Sequence, residues 1–70
     1  MQIDSAKIRQ ILADRTMTQR QLAMLMGRHP AQVSIVLKSA DAGVEFQPAT
    51  VGRIAQALGV TTEEITRDVM

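Results

Sequence analysis

The chain has 70 residues, a net charge of +1, 46% hydrophobic residues, one histidine and no cysteine, which excludes disulfides and thiolate metal sites. This length predicts one domain over residues 1–70, and with Phe46 as the single aromatic residue the core must be aliphatic. No apolar run approaches the roughly 18 residues of a membrane span, and the N-terminus has no hydrophobic signal region, so we expect a soluble, cytoplasmic protein.

The first predicted element is a helix. Every strongly periodic segment of the chain has the helical period and none alternates like a strand, so we predict an all-α fold. Asp4 or Ser5 can cap a first helix over residues 5–15. Its inner face consists of Ile8, Ile11 and Leu12.

The second helix is predicted from a capping box, in which Thr18 accepts from an early backbone N–H and Gln21 reaches back. Gly27 stands where the helix should end in a left-handed residue, and its missing Cβ removes the steric cost of that conformation. The apolar face of this helix consists of Leu22, Ala23 and Met26.

A third helix is predicted to begin at Pro30, whose fixed φ suits the first helical position and whose missing N–H would have no partner there. The residue before a proline is pushed toward the extended region, so His29 has the conformation that an N-cap needs. Gly27, Arg28 and His29 therefore form a short turn, and the third helix spans about residues 30–38.

The segment after Lys38 is a loop by composition, in which residues 44–46 can form a short extended piece. Pro48 then opens a fourth helix, the clearest amphipathic segment of the chain, and Gly59 closes it. The inner face of the fourth helix consists of Val51, Ile54, Ala55 and Leu58.

A fifth, short helix is predicted near the end of the chain. Thr61 and Glu64 have the spacing of a second capping box. We expect this helix to run through Ile65 toward Val69.

Two short helices joined by a turn that contains glycine are typical of a helix-turn-helix that reads DNA. The charge distribution fits this interpretation. Residues 1–38 hold six basic and two acidic side chains, a net charge of +4, whereas residues 39–70 hold two basic and five acidic ones, a net charge of −3. A basic half suits a protein that meets a polyanion with one side, although two ordinary solvated surfaces would give the same distribution.

Two blocks, TQRQLAMLMGRHPAQVSIVLK (residues 18–38) and PATVGRIAQALGVTTEEI (residues 48–65), resemble the phage Cro and repressor type of helix-turn-helix, which many small bacterial regulators and antitoxins share. The first block has the family's opening Thr-Gln, its Leu-Ala, its turn glycine and its apolar-Ser pair. The second block contains the family's Ala-Leu-Gly-Val. The resemblance implies a compact five-helix domain of the phage-repressor-like DNA-binding type, with the helix-turn-helix at residues 18–38.

Helical phase divides the third helix into an inner and an outer side. The inner side consists of Val33, Val36 and Leu37. If the outer side enters a major groove, Gln32 can pair bidentately with adenine and Ser34 can bond to either kind of base. Ala31 or Ile35 can pack on a thymine methyl group, although an exposed apolar residue is common in itself.

Contacts to the DNA backbone are expected from Thr18, Gln19, Arg20, Arg28 and Lys38. The family's residue at the position of Gln19 typically contacts a phosphate, helped by the positive end of the helix dipole. Arg28 and Lys38 flank the predicted reading helix and can neutralise phosphates, as can Arg20 at the other end of the unit, although each alone can be a solvated surface charge.

The chain offers no positioned acid–base pair, no phosphate-binding glycine loop and no metal cluster, so we expect neither catalysis nor a cofactor. The function expected is a transcriptional regulator, in the first place a repressor of the Cro/repressor type. One short helix reads few base pairs, so we expect a homodimer on a near-palindromic site in double-stranded DNA. Its dimer contacts are expected from Ile65, Val69 and Met70.

Two other interpretations stay open. One is an antitoxin-type autoregulator bound to a partner toxin, and the other is a protein-interaction module that keeps the fold without binding DNA. The lack of acidic residues between residues 15 and 40 favours DNA over the interaction module. A polymerase subunit is a further protein partner to consider. We expect no membrane contact and, in so short a chain, no small-molecule effector.

Overall fold

The computed structural model describes residues 1–67, which form five helices and one small sheet. The elements in chain order are β1 (Gln2–Ile3), α1 (Ser5–Asp14), α2 (Gln19–Met26), α3 (Pro30–Asp41), α4 (Pro48–Leu58), α5 (Thr62–Ile65) and β2 (Thr66–Arg67). The prediction of a compact, mainly helical fold with five helices is confirmed. No helix in the described part of the chain is long and apolar enough to cross a membrane.

The helices enclose an aliphatic core. α2 packs against α3 and α4, while α1 packs against α3 and α5. The buried apolar side chains are Ile3, Ile8, Leu12, Leu22, Ala23, Val33, Leu37, Ala40, Val51, Ile54, Ala55, Leu58 and Ile65. Ile11, Met26 and Val36, which were also expected inside, are partly buried against this core.

The sheet is an element that the all-α prediction missed. β1 pairs antiparallel with β2, with Gln2 opposite Arg67, and on its other side Gln2 forms a bridge to Glu45. The N–H of Phe46 donates to the carbonyl of Met1 at 2.7 Å, which continues this pairing. Strands of two residues are too short to show alternation, so only long-range backbone hydrogen bonds reveal them.

α3 is longer than predicted, because it continues past Lys38 to Asp41. The small and polar residues after Lys38 suggested a loop, but Ala40 is only 1% exposed and extends the inner stripe of Val33 and Leu37 by another turn. Burial of this alanine holds the last turn of α3 in place, so tertiary packing overrides the composition.

Asp41 at the end of α3 ties this helix to α1. Its carboxylate accepts a hydrogen bond from the Ser5 hydroxyl and two from the Arg9 guanidinium, at 3.1 and 3.0 Å. The Arg9 bonds first, and then the Ser5 bond, lower the pKa of Asp41 from 3.8 to about 2. Because the folded-state pKa lies below the unfolded one, these contacts stabilise the fold above the unfolded pKa, and the stabilisation is lost as the pH falls toward the folded one.

The fifth helix is shorter than predicted and ends at Ile65, because the chain turns into β2. Thr61 has the backbone conformation of an N-cap but makes no capping hydrogen bond through its side chain, so the second capping box is wrong. The carbonyl of Ile65 accepts from the N–H of Asp4 at 2.8 Å, which fixes the end of the helix against β1 instead.

The prediction of Ile65 as a dimer contact is also wrong. Its side chain is 0% exposed, packed in the core of its own protomer, so it offers no surface to a second copy. Val69 and Met70, the other two residues predicted for that interface, lie outside the described residues.

Candidate nucleic-acid interface

The joint between α2 and α3 forms as predicted. Gly27 adopts the left-handed conformation, with φ 67° and ψ 31°. The N–H of Gly27 donates to the carbonyl of Met24 at 3.1 Å and that of Arg28 donates to the carbonyl of Ala23 at 2.9 Å, the two bonds of a Schellman motif. These bonds pair two of the last four carbonyls of α2 and fix the direction in which the chain leaves the helix.

His29 and Pro30 start α3 immediately afterwards. His29 is extended, with φ −70° and ψ 141°, and its Nδ1 accepts from the N–H of Ala31 at 3.1 Å. Pro30 occupies the first helical position, where no N–H is needed. The hydrogen bonds on both sides of the turn therefore fix its backbone conformation. The two helices are held in one relative orientation.

The start of α2 provides the second feature of the interface. The predicted capping box is present: the N–H of Gln21 donates to Thr18 Oγ1 at 3.1 Å, and the N–H of Thr18 donates to Gln21 Oε1 at 2.8 Å. The hydroxyl proton of Thr18 stays available to an acceptor. Gln19 and Arg20 are exposed in the first turn, where helix N–H groups lack intrahelical partners and favour an anion.

α3 presents an inner and an outer side, as the helical phase predicts. Val33 and Leu37 face the core at 4% and 2% exposure, whereas Ile35 is 61% exposed. The structure places Ala31, Gln32 and Lys38 on the exposed side and Ser34, half-buried, at its border. All four residues predicted to reach base edges are thus reachable, with Ser34 the least accessible of them.

The basic side chains of the helix-turn-helix are free of acidic partners within residues 1–67. The ion pairs of this part of the chain join the N-terminal ammonium to Glu45 and Arg9 to Asp41. Arg20, Arg28 and Lys38 are exposed and take part in neither pair. Their charges therefore remain available to phosphates.

Arg53 is a residue of this surface that the sequence analysis missed. It lines a groove of about 400 Å³ between α3 and α4, together with Arg28, Gln32 and Ile35 of the helix-turn-helix. The sequence placed Arg53 in the acidic half of the chain. Helical phase does put Thr50 and Arg53 on one flank of α4, but no local signal says that this flank faces α3.

A capped α2, a left-handed glycine turn and an α3 with an open outer side and flanking exposed cations define a helix-turn-helix DNA-binding domain. The chain belongs to the Cro/C1-type HTH DNA-binding domain family, whose family model matches residues 7–69. The resemblance inferred from residues 18–38 and 48–65 is thereby confirmed, and the protein is a DNA-binding protein. No curated protein and no solved structure gives a significant match.

Within residues 1–67, no three side chains of the types that hold metal ions come close enough together to bind one.

The left-handed turn can be tested with two matched glycine substitutions. A Cβ added at Gly27 or at Gly52 meets nothing within 4 Å, so neither substitution creates a clash. Gly27→Ala should lower the free energy of unfolding by about 1–2 kcal/mol, because alanine is strained at positive φ. Gly52→Ala, inside α4, should raise it by about 0.5–1 kcal/mol. Urea denaturation measures both, and shifts of the same sign would contradict the assigned backbone.

Proposed function

We propose that the protein is a sequence-specific transcriptional regulator of the repressor type. It binds a near-palindromic operator as a dimer, with residues 30–38 of α3 in the major groove. The observation that carries this proposal is the outer side of α3, which is exposed, uncharged in its first two turns and flanked by cations that have no acidic partner among residues 1–67. No acidic residue occurs between Arg15 and Ala40 to repel the phosphates.

Sequence readout falls to four side chains of α3. Gln32 offers an amide that pairs bidentately with adenine, and Ser34 donates to or accepts from a base edge. Ala31 and Ile35 supply apolar contacts to thymine methyl groups. Pro30 stands at the front of the helix but has no group that can hydrogen-bond a base, so specificity moves to the residues after it.

Affinity comes from the DNA backbone. Thr18, Gln19 and Arg20 surround the open N–H groups at the start of α2, which bind one phosphate group. Arg28 in the turn and Lys38 in the third turn of α3 flank the reading helix and neutralise further phosphates. The contacts to phosphate fix the position of α3, and the contacts to bases select the sequence.

A dimer follows from the small number of bases that one α3 can read. Two copies on a near-palindrome place their reading helices about one turn of DNA, roughly 34 Å, apart. Repression then requires only that the occupied site overlaps the site of polymerase.

Phosphate and base contacts can be separated by two substitutions. The operator is first obtained by selecting genomic fragments that the protein binds. Gln32→Ala should cost about 1–3 kcal/mol on the operator and relax the preference at one base position. Arg28→Ala should weaken binding to operator and random DNA alike, and should reduce the slope of log K against log salt by about 1.

Fluorescence anisotropy titrations at several salt concentrations measure both effects. Equal losses on operator and random DNA for the two variants would contradict the assigned roles. Weak binding that does not change with salt would overturn DNA binding as the function.

The role of Ile35 can be tested against a matched residue. Leu25 on α2 is also 61% exposed and is not among the proposed contacts. Ile35→Ala should weaken operator binding by about 0.8 kcal/mol for each thymine methyl group that it covers, whereas Leu25→Ala should leave it unchanged. Replacing the contacted thymine by uracil should cost the wild type the same amount and the Ile35→Ala variant nothing. If the losses of affinity from Ile35→Ala and from the uracil replacement simply add up, Ile35 does not touch that methyl group.

A further inference from the structure

The groove between α3 and α4 lies over the core. Its apolar floor is formed by the exposed Ile35 and the partly buried Met26 and Val36. The core side chains that also line it are only 1%, 1% and 2% exposed: Ile8, Leu22 and Ile54. Its volume of about 400 Å³ lies within the range of sites that bind small molecules, roughly 300–1,000 Å³. The groove is therefore an apolar site that opens next to the reading helix.

The rim of the groove has a different character from its floor. It includes the exposed Arg28 of the turn and the exposed Arg53 of α4, and Thr50 and Gln32 add a hydroxyl and an amide group. Among residues 1–67, no carboxylate lines the groove and neither arginine takes part in an ion pair. An apolar floor below two unpaired cations is complementary to a molecule with an apolar body and one anionic group.

We propose that this groove binds a small amphipathic anion, a medium-chain aliphatic carboxylate, with its chain on the apolar floor and its carboxylate between Arg28 and Arg53. The walls suit a flexible aliphatic chain, because the side chain of the partly buried Met26 can adapt to it. This is an effector site where the shortness of the chain led us to expect none.

Such a ligand would oppose DNA binding. Three residues that line the groove are also proposed DNA contacts: Arg28, Gln32 and Ile35. The ligand neutralises the charge that Arg28 offers to a phosphate, and it restricts the side chains of Gln32 and Ile35 that contact bases. By linkage, bound DNA must lower the affinity for the ligand by the same factor by which the ligand lowers the affinity for DNA. This regulatory part of the inference rests on the proposed function, whereas the binding of the ligand does not.

Binding is tested on the protein without DNA, by methyl NMR of its isoleucine and valine side chains. The probes are octanoate, its neutral analogue octanamide, and acetate. Octanoate should give saturable shifts at Val36 and Ile54, octanamide should bind about tenfold more weakly because it lacks the charge-assisted bonds, and acetate should give none. Shifts that do not saturate, or that lie away from the groove, would overturn the proposal.

Two pairs of variants locate the site. Arg53→Gln should weaken the binding of octanoate about tenfold and leave the binding of octanamide unchanged. Arg67 is an exposed arginine of β2 outside the groove, so Arg67→Gln should change the binding of neither. Thr50→Leu places a larger side chain in the groove and should abolish both ligands, whereas Thr62→Leu on α5 should not. Octanoate binding that survives both Arg53→Gln and Thr50→Leu would contradict the site.

Antagonism is measured by anisotropy on the selected operator, with acetate at equal ionic strength as the control. Octanoate should weaken wild-type binding and leave Thr50→Leu unaffected, and equal weakening of both would contradict a coupling through the groove. If Arg53→Gln instead lowers DNA affinity and the salt slope without changing octanoate binding, Arg53 is a phosphate contact and the proposal fails. Since ligand binding is read without DNA, failure of the proposed function would leave that result standing.

Discussion

The turn between α2 and α3 is the constraint on which the interface depends. Gly27 can take its left-handed conformation without a steric penalty. The hydrogen bonds from Gly27 and Arg28 to carbonyls in the last turn of α2 then fix the direction in which the chain leaves the helix. His29 and Pro30 then fix the first turn of α3. Because both helix ends are determined locally, the capped start of α2 and the outer side of α3 face the solvent in a fixed arrangement. The proposed contacts to phosphates and to bases can act together only if that arrangement holds.

The packing of α3 shows how one helix can contribute to stability and also serve the proposed recognition of DNA. Val33, Leu37 and Ala40 form a single buried stripe, and Asp41 anchors the far end of the helix to α1 through Ser5 and Arg9. Little of the remaining circumference is needed for the fold. The outer residues are therefore available for the proposed contacts with DNA. Substitutions there should change the affinity for DNA far more than the free energy of unfolding.

The sequence predicts what local chemistry determines and misses what distant residues determine. Gly27 and Pro30 act on their own backbone, so the turn could be predicted residue by residue. The length of α3 could not, because Asp41 is held by residues of α1, and the two-residue strands carry no periodic signal. Ile65 shows the same limit, since its burial depends on which helices pack over it. Arg53 belongs to the acidic half of the chain, yet the fold places it beside α3.

The most direct test of the account is a map of the DNA-binding surface by backbone amide NMR, in which the selected operator duplex is titrated into the protein. The account predicts that the largest shifts fall in residues 18–20 and 28–38, at the start of α2 and along the turn and α3, while β1, β2 and α5 change little. Large shifts confined to the sheet and α5, with α3 unchanged, would contradict the claim that α3 reads the DNA.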